Sequence, residues 1–166
     1  MNRRYRTASA VLMLLQTVGT PMVPDANAQL PGESLIARYV ATWELDAFFA
    51  EPAIAAELQA LLGERLDEVM HALDVSTDIE YYGRALRVSG NAPHAGGEHE
   101  AIVCVQLFST GVQVHVGHYV DGVITVYTRQ PRYDFLPTCI KDWIGLENAA
   151  HAHRLRQPGN VRFETR

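Results

Sequence analysis

The chain has 166 residues, with 14 Lys and Arg against 19 Asp and Glu, a net charge of −5 with histidine neutral. That length suits a single domain able to bury a core without several disulfides or a metal. The acidic balance argues against nucleic acid as a partner, because phosphate binding needs a basic face, and favours encounter with basic partners.

The first elements are those of a secretory signal. Arg3, Arg4 and Arg6 make a positive start, Ala8 to Val18 is uncharged and mostly apolar, and Pro21 and Pro24 precede the small-residue site Ala26-Asn27-Ala28. This order of charge, apolar run and cleavage site marks a signal peptide, and the run is too short to span a bilayer permanently. Residues 1–28 are expected to be removed on export to the periplasm or the medium, leaving 138 residues with a charge near −7. No cysteine lies near the cleavage point, which argues against a lipid anchor.

The pattern from Leu35 to Phe49 is ambiguous. Pro52 then sits where proline opens a helix, Ile54, Leu58, Leu61 and Leu62 recur at helical spacing, and Gly63 ends the run. A second helix is predicted over Glu64 to Leu73, with Glu64, Asp67 and Glu68 as a solvated acidic face. The period then alternates. Ile79–Tyr82 and Ala85–Ser89 predict a hairpin turning at Gly83-Arg84, and Gly90–Glu100 predicts a loop. Strands follow over Ala101–Ser109, Gly111–Tyr119 and Val123–Thr128, with Asp121-Gly122 as a two-residue hairpin turn. Leu136-Pro137 opens a short helix ending near Ile144. Helices followed by a meander predict an α+β domain over residues 29–148, an antiparallel sheet of about five strands with helices packed on one face. Residues 149–166 are expected to form a flexible C-terminal tail.

Enzyme chemistry finds little support. The chain lacks both a Gly-x-Ser-x-Gly turn and a His-Glu-x-x-His helix. Cys104 lies inside the apolar run Ile102-Val103-Cys104-Val105, where a thiolate is costly. Cys104 and Cys139 either pair in an oxidising compartment, closing a 35-residue separation, or stand as two buried free thiols. Of the seven histidines, His115 and His118 point to opposite faces of a strand. His151 and His153 lie in the tail, and His94 and His99 share the loop with Glu98 and Glu100. Surface histidines account for these, so no metal and no cofactor are expected. Self-association into a homodimer is left open.

The loop itself is distinctive. Asn91-Ala92-Pro93-His94-Ala95-Gly96 presents one imidazole beside a rigid proline among residues with little side chain. Small neighbours avoid steric conflict in a concave partner, and proline lowers the ordering cost of binding. Here the chain resembles the Ivy family of bacterial lysozyme inhibitors, whose loop has the pattern Cys-Lys-Pro-His-Asp-Cys. The Pro-His pair stands at Pro93-His94, while Asn91 and Gly96 occupy the cysteine positions and Ala95 the aspartate. Pro52 to Gly63 with its Leu-Leu-Gly ending, the strand from Ala101 to Phe108, Leu136-Pro137 and Trp143-Ile144 extend the similarity over about residues 44–145. The resemblance implies an exported protein without enzyme activity whose loop enters the cleft of a lysozyme-like muramidase. The alternative is an envelope ligand- or protein-binding domain on the same scaffold.

Overall fold

The computed structural model describes residues 31–150 and 159–165; the segment read as a signal peptide lies outside them. Among the described residues four helices come first: α1 (Pro31–Tyr39), α2 (Leu45–Phe49), α3 (Pro52–Leu62) and α4 (Leu66–His71). The ambiguous stretch thus resolves into two short helices broken where Ala41 takes φ 60°. Proline fills the first turn of α3, where no intrahelical donor is missed. Gly63, at φ 53°, ends it and leads through one 3₁₀ turn into α4.

Seven strands of the described residues form one sheet: β1 (Val75–Ser76), β2 (Glu80–Tyr82), β3 (Ala85–Asn91), β4 (His99–Phe108), β5 (Gly111–Val120), β6 (Val123–Tyr127) and β7 (Val161–Glu164). Their order is β1-β3-β4-β5-β6-β7, with β2 also on β3. Every pairing is antiparallel except β6 with β7. β1 and β2 take successive stretches of one edge of β3. Gly90 permits this: a Cβ there would sit 2.5 Å from the Val75 carbonyl oxygen.

The α+β class holds, and the structure departs from the expected layering in three places. α5 (Thr138–Ala150) covers the sheet face opposite α1–α4. On one side Phe48, Ile54, Leu58, Leu62 and Val69 pack on Val103, Val105, Val114 and Val116. On the other, Ile140, Trp143 and Ile144 pack on Ile102, Cys104, Tyr119 and Ile124. The physical sign of this was the run Ile102–Val105, which is buried throughout; a strand covered on both faces shows no alternation. Gly117 belongs to the same arrangement, because a Cβ on it would lie 2.5 Å from the Trp143 ring.

Two strands were not expected. β1 has two residues, and β7 falls in the segment read as a tail. Val161 and Phe163 of β7 alternate inward and pack against the α5 side of the core, and their backbone completes the open edge of β6. Cys104 and Cys139 form a disulfide, Cα to Cα 6.4 Å, that joins β4 to α5.

Candidate functional site

β3 and β4 remain paired out to Asn91 and Glu100. One more backbone bond, from the Ala92 N–H to the His99 carbonyl at 3.0 Å, closes the ladder beneath the loop. The Ala95 N–H then donates to the Ala92 carbonyl at 3.0 Å, and His94 takes φ 61°. Proline second and a left-handed residue third is the type II turn pattern. Histidine is among the few residues besides glycine that enter this region readily. Ala92 is buried and anchors the turn, while Pro93 and His94 are exposed at its corner. Among the described residues, none hydrogen-bonds the His94 imidazole. Ala95 is half-buried and Gly96 exposed.

The foot of the loop is held by polar contacts. The Asn91 amide donates to the Ala92 carbonyl at 2.8 Å, and the Glu100 carboxylate accepts the Gly97 N–H. The His99 N–H donates to the Ala95 carbonyl at 2.9 Å, and the Asp121 N–H of the next hairpin to the Glu98 carbonyl at 3.1 Å. Asn91 and Gly96 still face each other across the loop: a Cβ on Gly96 would lie 3.7 Å from Asn91 Cγ.

Below the loop the two sheet faces differ in chemistry. On the α5 face Glu147 is buried. That burial, followed by the charge of Glu100 and a hydrogen bond with it, raises its pKa to about 8. Glu147 therefore keeps its proton at neutral pH. On the α4 face His118, buried, meets His99 Nε2 to Nε2 at 2.9 Å, and Glu68 of α4 stands with them. Desolvation, then the neighbouring His99, lowers the His118 pKa to about 4. Arg65 donates to Glu68 at 2.7 Å and holds its carboxyl below the usual range.

His115 and His118 do face opposite sides of β5, as their spacing requires, but neither is a surface residue. His115 is satisfied at both nitrogens. The Gln106 amide oxygen, 2.9 Å away, can only accept, so Nε2 carries the hydrogen and Nδ1 accepts the Thr128 hydroxyl at 2.8 Å. Burial lowers its pKa to about 4. His151 and His153 lie outside the described residues. In the sequence Glu68 reads as part of a solvated acidic face and His118 as a surface histidine, and nothing singles out Glu147. Only the Glu68-x-x-His71 spacing, which sets both side chains on one helix face, was available to single out the first.

No curated protein and no solved structure matches this chain. The profile described as "Inhibitor of vertebrate lysozyme (Ivy)" matches residues 53–150, from α3 through the loop and sheet to the end of α5. That stretch is more than half of the sequence, and it includes the exposed Pro93-His94 turn. The chain belongs to the Ivy family, a family of inhibitors rather than of enzymes.

Proposed function

We propose that this protein is exported and blocks a lysozyme-type muramidase by inserting the loop Asn91–Gly96 into the enzyme's cleft, with His94 as the inserted residue. The observation that carries this reading is the placement of His94. It is exposed, unbonded to any described residue, and fixed by proline at the corner of a tight turn, in a chain of an inhibitor family. Muramidases of this type work through two carboxyl groups flanking the scissile bond. An imidazole between them donates a hydrogen bond to one or both and displaces the substrate, so neither acid nor nucleophile can act. The acidic chain, at −5, suits a basic enzyme and speeds their encounter. The missing loop cysteines are offset by the bonds from Asn91, Gly97 and His99, which preorganise the turn without a covalent clamp.

Purified protein at micromolar concentration should slow lysis of bacterial cell walls by a lysozyme. His94→Ala should weaken that inhibition at least tenfold while the variant stays folded. Absence of inhibition at micromolar protein, or full inhibition by the variant, overturns the proposal.

A further inference from the structure

The structure places three metal-ligating side chains from three elements against one another. Glu68 on α4, His99 at the start of β4 and His118 on β5 bring a carboxylate oxygen and two imidazole nitrogens within 4.8 Å of one another. The register explains the meeting. His118 opposes Ala101, so His99, two residues earlier on β4, is its diagonal neighbour on the α4 face. His118 is nearly buried, and its nitrogen is aimed at a second nitrogen rather than at an acid or a carbonyl.

We infer that Glu68, His99 and His118 form a binding site for a divalent transition-metal ion of the zinc class, clamping α4 to the foot of the β3–β4 loop. Two imidazoles and one carboxylate are a borderline donor set, which suits zinc, cobalt or copper rather than calcium or magnesium. Tetrahedral coordination with bonds of about 2.05 Å separates two nitrogens by roughly 3.3 Å. The observed 2.9 Å therefore needs only a few tenths of an ångström of opening. Glu68 uses Oε2 for Arg65, leaving Oε1 for the ion, and Arg65 is exposed enough to swing away. A fourth donor is near. His71 lies three residues after Glu68 on α4, its ring centroid 6.1 Å from that of His99, and Asp74 holds its Nδ1 at 2.6 Å. That carboxylate contact fixes the His71 ring as a carboxylate behind a metal-bound imidazole does. The ion would fix His99, whose N–H and carbonyl both close the loop. The site stands independently of what the loop binds.

The test uses the purified chain without a polyhistidine tag, stripped with a chelator and titrated with zinc chloride alone by calorimetry, with metal analysis after dialysis. One ion per chain, with a dissociation constant at or below micromolar, is expected, together with a rise in melting temperature. His118→Gln and His99→Gln should each weaken binding at least a hundredfold, and Glu68→Gln at least tenfold. His94→Gln and the pair His151→Gln/His153→Gln should leave it unchanged. Cobalt(II) should give an intense visible band on the wild type that is lost in His118→Gln. Should a buried variant fail to fold, Glu68→Gln, which is exposed, decides with the same readouts. Binding weaker than about 100 μM, more than one equivalent ion, or binding retained in Glu68→Gln and His99→Gln overturns the inference.

Discussion

The contact between β4 and α5 and the turn at the end of the β3–β4 hairpin are built from different materials. The first is covalent and apolar: a disulfide, the Trp143 ring laid over Gly117, and Ile140 and Ile144 packed on Ile102 and Ile124. The second is a run of backbone bonds, one amide and one carboxylate around an exposed imidazole. Free energy of folding concentrates where water is excluded, whereas a partner can only be met where it is not. The two regions meet at one point, where Glu147 of α5 bonds to Glu100, the residue that accepts the Gly97 N–H at the foot of the loop. Away from that point, changes to the body should appear as stability and changes to the loop as affinity.

The largest effect that separates the two regions should come from the disulfide. Closing the 35-residue separation between Cys104 and Cys139 is worth about 4 kcal/mol in the chain-entropy account. Replacing both cysteines by alanine should lower the urea midpoint accordingly. Inhibition by the protein that stays folded should be unchanged, since His94 does not touch that contact. A shift in inhibition constant at constant folded fraction would break the division drawn above.

A smaller effect should come from pH. His115 has a pKa of about 4 in the fold and about 6.5 when exposed. The unfolded chain thus takes up a proton first. The stability this residue contributes is complete above pH 6.5 and is lost as pH falls through 4, by about 3 kcal/mol at full titration. His118 adds a change of the same sign. Glu147 runs the other way: its folded pKa of about 8 lies above the unfolded value of about 4.5, so the stability it contributes falls as pH rises from 4.5 and is gone above 8. Urea midpoints in the presence of a chelator should peak near pH 6, and His115→Gln should flatten the acid limb by about one proton. An unchanged acid slope in that variant would show that His115 titrates normally.

Much of the body was legible because its signals are local. Pro52 and Gly63 bound α3 as their backbone preferences require. Both two-residue turns carry positive φ at each corner, Gly83 and Arg84 at 57° and 67°, Asp121 and Gly122 at 48° and 83°. The Pro93-His94 turn was legible for the same reason. What escaped depends on register and on distant partners. His99 and His118 meet only once β4 and β5 are aligned, and Glu68 reaches them only because α4 lies over that face. Glu147 is buried against Glu100 because α5 takes the second face, a choice that no local period encodes. β7 has two inward apolar residues among charged ones, too few to stand out without an edge to receive them.

The loop offers the smallest change and the sharpest one. Asn91 and Gly96 occupy the positions that are cysteine in the pattern this loop resembles, and a Cβ on Gly96 would be in contact with the Asn91 side chain, 3.7 Å from its Cγ. Gly96 does not take a positive φ, so a side chain is tolerated there. The double variant Asn91→Cys/Gly96→Cys should close under oxidation. So short a loop adds about 2 kcal/mol at most, reduced by the loss of the Asn91 amide bond to Ala92. The gain in inhibition should be several-fold and should disappear on selective reduction of the new bond, because the bond only lowers the cost of ordering the turn on insertion. If the oxidised and reduced forms inhibit equally, the turn is already as rigid as binding requires. The hydrogen bonds at its foot would then do for the loop what the disulfide does for α5.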